Sequence, residues 1–209
     1  MTQAIVFDCE FAAIEGSQRR FWCGPFDPDP FIVQIGAAKL SLTDDYPILE
    51  TLRIFIQPVD RSGAAFRIDP FLTQLTGITE TDIADKGVPL ETALAELDRF
   101  SNAADFWSWG KDELNMIAIS CFAAGLEAAI PASRFGNACR LLLRAGMSYE
   151  DIQKTRSGRL AACFCVDHPR LRNHDALDDA MSVACTLQHL LRQGRLAPEA
   201  FSTSLPAIS

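Results

Sequence analysis

A chain of 209 residues, 48% of them apolar and 22% charged, can bury one sizeable core, which excludes global disorder. No run approaches 18 uninterrupted apolar residues, so no transmembrane helix is predicted. The net charge of −8 argues against a broad phosphate-binding surface, because such surfaces need clustered Lys and Arg. The opening Met-Thr-Gln-Ala-Ile-Val-Phe-Asp has no basic region and runs into a strand pattern, unlike a secretory signal, so a cytoplasmic location is expected. Seven cysteines, most within apolar runs (Cys121, Cys139, Cys163, Cys185), read as buried thiols in a reducing compartment.

In chain order, residues 3–9 read as a short buried strand, and residues 14–30, with Gly16, Gly24, Pro25, Pro28 and Pro30, as an irregular loop. Phe31 to Leu42 is an apolar, β-branched run, and Leu49 to Gln57 alternates apolar and polar residues. Asp44-Asp45 and Pro47 supply the turn of a hairpin between them. Asp69-Pro70 starts a short helix, Gly77 breaks it, and Thr79 caps another. Leu90, Ala93, Leu94, Leu97 and Phe100 recur at helical spacing. Ala104 to Trp109 is an aromatic strand ending at Gly110, and Asp112 to Gly125 is helical. Residues 134–165 read as a strand or short helices, and Asp175 to Gln193 as a helix closed by Gly194. The pattern predicts one α/β domain over residues 1–196, with helices flanking a central sheet, and a loosely packed tail over 197–209.

Three constellations carry chemistry. In Phe7-Asp8-Cys9-Glu10 the alternation of a strand puts Asp8 and Glu10 on one face, at the end of an apolar run. Like charges so close disfavour joint ionisation, and hard oxygen ligands of this kind suit Mg²⁺ or Mn²⁺. Trp109-Gly110-Lys111-Asp112-Glu113 ends a strand and places an acid in the first turn of a helix. In Asn173-His174-Asp175-Ala176-Leu177-Asp178-Asp179-Ala180, His174 and Asp179 can face one cleft, and a neutral histidine can take a proton from water. His189, among leucines, reads as a helix residue and His168 as a loop residue.

The order Asp-x-Glu, a mid-chain Asp, and His-x-Ala-x-x-Asp resembles the DEDDh (DnaQ-like) 3′→5′ exonucleases, across about 170 residues. Ile35-Gly36-Ala37, Leu75-Thr76-Gly77-Ile78-Thr79, Ser108-Trp109-Gly110 and Leu177-Asp178-Asp179-Ala180 are similar to the Eri-type exoribonucleases. The resemblance implies a ribonuclease H-like mixed five-stranded sheet flanked by helices. It also implies phosphodiester hydrolysis from the 3′ end of a single strand, RNA favoured over DNA. Asp8, Glu10, Asp112 and Asp179 would be ligands of two Mg²⁺ (or Mn²⁺) ions and His174 the general base. Glu113 replaces Asp112 if the helix starts one residue later; Asp112 is the preferred reading. Phe11 stands where many members carry Thr, and Gln34 where relatives often carry an acid.

For the strand end, Phe11, Phe21, Trp22, Phe26, Trp107 and Trp109 are stacking candidates; Phe11 and Trp22 are preferred, the others reading as core. Arg19-Arg20 and Arg170 to Arg172 are candidate phosphate contacts. The resemblance leaves a homodimer open. The rival readings are a non-catalytic binding module on the same fold and a phosphodiesterase acting on DNA ends or small nucleotides.

Overall fold

The computed structural model describes residues 2–167, 172 and 174–203. Its centre is β1 (Gln3–Phe11), an apolar run buried on both faces, as expected of a strand with layers above and below. β1 pairs antiparallel with β2 (Ile32–Ser41), which pairs antiparallel with β3 (Ile48–Ile56). The turn between β2 and β3 uses Asp44, Asp45 and Tyr46 at positive φ, where Asp tolerates the left-handed region better than most residues.

Two short helices follow, α1 (Pro70–Thr76) and α2 (Glu80–Lys86), then β4 (Gly87–Val88), α3 (Leu90–Ser101) and β5 (Phe106–Ser108). The Asp69 side chain caps α1, and Thr79 and Asp82 form a reciprocal capping box on α2. α4 (Asp112–Ala124) leads to β6 (Phe135–Asn137), α5 (Ala138–Arg144), α6 (Tyr149–Lys154), α7 (Leu160–Cys163) and the long α8 (Ala176–Arg192).

The sheet is mixed α/β as expected but has six strands, ordered β4-β3-β2-β1-β5-β6, where five were expected. The additional strand is β4, held beside β3 by the Gln57 N–H donating to Val88 O at 3.0 Å. Two residues carry no periodicity, so only tertiary pairing defines that strand.

Alternation along β1 separates two cores. Ile5, Phe7 and Cys9 join Ile35, Phe106 and helices α1 to α4 on one face. Ala4 and Val6 join Trp107, Leu141, Leu160, Val183 and Leu187 on the other, under α5 to α8. Asp8 and Glu10 continue the second series, so the strand delivers them under the N-terminus of α8.

The expected loose tail begins as a packed 3₁₀ turn, Pro198–Phe201. Phe201 is fully buried, edge-on to Trp107 at 5.5 Å, and the Thr203 hydroxyl donates to Asp105 at 2.8 Å. Residues 204–209 lie outside the described residues. Cys163, read as buried, is exposed. Among the described residues no helix is long and apolar enough to cross a membrane.

Candidate active site

The position of α8 is set by β2. Gly36, opposite Asp8 in the sheet, lies so close to the first turn of α8 that a Cβ there would run into the backbone of Ala176 and Leu177. Gln34, opposite Glu10 and 1% exposed, accepts the Ala176 N–H at 2.9 Å through its side-chain oxygen. A neutral amide does here what an acid could do only by adding charge to a crowded site.

Asp175 caps the same helix, accepting from the Asp178 N–H, and is buried between Arg53 at 2.6 Å and Arg172 at 2.7 Å. Those two guanidiniums hold its carboxyl below the usual range against the opposing effect of burial. Asp179 follows one turn later, its N–H bonded to Asp175 O at 2.9 Å, and its side chain is thereby aimed at β1.

Carboxylate oxygens of Asp8, Glu10 and Asp179 lie within 4.8 Å of one another, all three residues buried. A fourth acid arrives from the first turn of α4, and it is Glu113, not Asp112. Glu113 is 9% exposed and shares a hydrogen bond with Asp8, with the Ser108 side chain also bonded to it; Asp112 points to solvent. The helix period could have found this. The buried face of α4 is Glu113, Met116, Ile117, Ser120 and Cys121, so the apolar pair sits three and four residues beyond Glu113, the 3.6-residue spacing of one face.

Burial dominates the acidity of all four carboxyls, with repulsion from the neighbouring acids next for Asp8 and Glu10. Asp8 is pushed well above the ordinary carboxyl range by burial and then by Glu113. Burial followed by Asp179 raises Glu10 to about 8, and burial raises Asp179 to about 7 against hydrogen bonds from the His174 N–H and Ser157. Glu113 rises to about 7, again by burial first. Among the described residues, Glu113 Oε2 and Asp179 Oδ1 are buried without a hydrogen-bond partner. Two unpaired oxygens among four convergent carboxylates fit a hard divalent cation. Mg²⁺ holds its ligands at about 2.0–2.1 Å, so opposite donors stand roughly 4 Å apart. The Asp8, Glu10 and Asp179 oxygens, within 4.8 Å of one another, are spaced on that scale.

His174 sits in an exposed turn just before α8 at φ 59, and its backbone N–H contacts Asp179. Its imidazole is held below the ordinary histidine range by partial burial and by Arg156 and Arg159, which favours the neutral form at pH 7. The structure therefore brings together Asp8, Glu10, Asp179, Glu113 and the turn bearing His174.

No protein-family model matches the sequence, and no curated protein matches it. Solved structures do. A full-length 3′-exonuclease superposes with TM-score 0.68 at 17% identity, over 94% of this chain and 62% of its own. A 3′-exonuclease solved for 3′-end-specific recognition of a histone mRNA stem-loop gives 0.72 at 17% identity, over 93% and 65%. This chain shares the fold of these two solved proteins. E. coli exonuclease I, in complex with a dA16 oligonucleotide, gives 0.58 at 13% identity, over 96% and 42%. The chain spans less than two thirds of the length of each of these proteins.

The six stacking candidates divide on this fold. Phe11 and Trp22 are partly buried and face each other at 5.8 Å, whereas Phe21 and Phe26, read as core, are 85% and 86% exposed. Trp107 is buried core and Trp109 packs against it. Arg20 is paired with Asp27 at 2.6 Å and Arg172 with Asp175, so neither guanidinium is a free phosphate contact, while Arg19 is exposed. His168 and Arg170 lie outside the described residues.

Proposed function

We propose that this protein is a metal-dependent 3′→5′ exonuclease that removes nucleotides from the 3′ end of a single strand, RNA in preference to DNA. The observation that carries the reading is the convergence of Asp8, Glu10, Glu113 and Asp179, from three elements distant in sequence, beside a neutral histidine on a 3′-exonuclease fold. The Eri-like sequence details support RNA.

The four carboxylates would hold two Mg²⁺ or Mn²⁺ ions, with Glu113 in the role first given to Asp112. Bound there, the cations would lower the pKa of a water and neutralise charge developing on the leaving 3′-oxygen. His174 accepts the proton of the attacking water, a step for which its neutral form at pH 7 leaves the ring nitrogen available. Phe11 and Trp22 offer a face for the terminal base. Gln34, Gly36 and Asp175 hold α8 so that Asp179 stays aimed at Asp8.

The test uses 5′-labelled single-stranded RNA and DNA with Mg²⁺, Mn²⁺ or EDTA, for wild type and His174→Ala. A ladder shortening from the 3′ end, faster on RNA and abolished by EDTA, is expected. Because His174 is exposed, the variant should stay folded and lose about 10²–10⁴-fold in rate. A wild type that degrades neither strand under any metal overturns the exonuclease reading, and a fully active His174→Ala overturns the role of the histidine.

A further inference from the structure

Beyond the carboxylates, the turn that follows β1 lines a separate cleft of about 510 Å³. Residues 12–14 form one side, Phe26 of the following loop another, and Phe66 and Arg67 of the segment before α1 a third. The walls are tied together. Both nitrogens of the Arg61 fork donate to the Asp29 carboxylate at 2.8 Å, joining the 14–30 loop to the segment after β3. Phe66 is fixed edge-on against the buried Phe31 at 6.4 Å. The loop is braced internally by Asp27, which accepts from the Gly24 N–H and pairs with Arg20.

Three features suit this cleft to a nucleoside and not to an apolar side chain. Phe26 presents an aromatic ring 86% exposed to solvent, with Phe66 across the same cleft, a stacking surface for a flat heterocycle. Glu80 also lines it and offers hydrogen-bond acceptors to base N–H or sugar hydroxyl groups, as does the Asp69 oxygen that the Phe71 N–H leaves free. Arg67, exposed and without an ion pair among the described residues, is a free cation in a chain of net charge −8. A phosphate is the group such a cation selects.

We propose that this cleft is a second-nucleotide subsite, in which Phe26 stacks on the penultimate base and Arg67 contacts the adjoining phosphate. The inference rests on the exonuclease reading. If the terminal base lies on Phe11 and Trp22, the strand continues along residues 12–14, which follow Glu10 and Phe11 directly and open into the cleft. Phe26 and Arg67 are then specificity-determining side chains that touch the strand but neither the cations nor the attacked phosphorus.

Full-length protein is titrated with a fluorescent single-stranded RNA 12-mer in Ca²⁺, and with 12-mers bearing one abasic site at each of the last four positions. Phe26→Ala should weaken binding of the intact oligomer about 5- to 100-fold, the loss of one base–aromatic stack. An abasic site at the penultimate position should weaken wild type similarly, yet cost Phe26→Ala almost nothing more, because both remove the same contact. Arg67→Ala should flatten the salt dependence of binding by about one phosphate contact. Both side chains are exposed, so unchanged melting temperatures are expected and unfolding is checked directly.

If wild type shortens strands from the 3′ end while Phe26→Ala and Arg67→Ala bind as wild type does, the subsite is wrong and the exonuclease reading stands. An abasic penalty in Phe26→Ala equal to that in wild type also overturns the subsite. A wild type that neither binds nor degrades single strands removes both together.

Discussion

Replacing Glu113 by Gln exchanges a carboxyl oxygen for an amide in a cluster whose acidity is governed first by burial. In the metal-free protein the Glu113 carboxyl rises from 4.5 to about 7, chiefly by burial. At roughly 1.4 kcal/mol per pKa unit, this difference is worth about 3 kcal/mol. The sign follows from proton counting. Between 4.5 and about 7 the folded chain holds a proton that the unfolded chain has lost, so raising the pH favours unfolding. Glu10 at about 8 and Asp179 at about 7 act in the same direction. His174, whose folded pKa is lowered from 6.5, acts oppositely, but only as pH rises through its own range below 6.5.

The informative window is therefore about pH 5 to 8, between the ordinary carboxyl range and the raised values, where three carboxyls outweigh one imidazole. Metal-free wild type, melted in EDTA, should lose stability steadily across it. For a chain of this size each kcal/mol corresponds to about 2–4 °C in Tm, so the fall should reach several degrees. Saturating Mg²⁺ or Mn²⁺ should flatten the slope and raise Tm most at high pH, because the cation binds only the ionised, folded cluster. Glu113→Gln, with no proton to lose at that position, should flatten the slope in EDTA and gain less from metal. Asp112→Asn, at an exposed site, should behave as wild type in both respects. A flattened slope in Asp112→Asn with a wild-type slope in Glu113→Gln would refute the assignment of the fourth acid to Glu113.

Two further substitutions test the scaffold of the site. Gly36→Ala inserts a methyl group against the backbone of Ala176 and Leu177, which has no side-chain freedom to yield. Denaturant unfolding should show a loss of about 1–3 kcal/mol, and exonuclease rate should fall further than stability alone explains, as α8 carries Asp179 away from Asp8. Phe201→Ala empties a fully buried position beside Trp107 and should cost about 3–5 kcal/mol, with activity retained below the lowered melting temperature. A variant as stable as wild type would mean that the 3₁₀ turn of the tail is not part of the core.

Much of the molecule was written in local patterns. The apolar run of β1, the hairpin with its Asp-rich turn, the capped helices α1 and α2, the spacing of α3 and the long α8 are all set by residues within a few positions of each other. The pairing of Asp8 with Glu10 on one strand face was equally legible, because alternation needs no partner. What sequence left open were relations between elements.

Whether Asp112 or Glu113 reaches Asp8 depends on where α4 starts and how it rolls over the end of β5. The buried face of the whole helix decides that, not its first turn. β4 exists only because β3 is there to accept two residues. Phe26 and Phe201 have the same side chain, yet one is 86% exposed and the other fully buried. The difference is made by packing: Phe201 falls under α5 and α8 beside Trp107, whereas Phe26 stands on a loop with no layer above it. Hydrophobicity sets the tendency of a residue to be buried. The arrangement of layers determines which residues find a place inside.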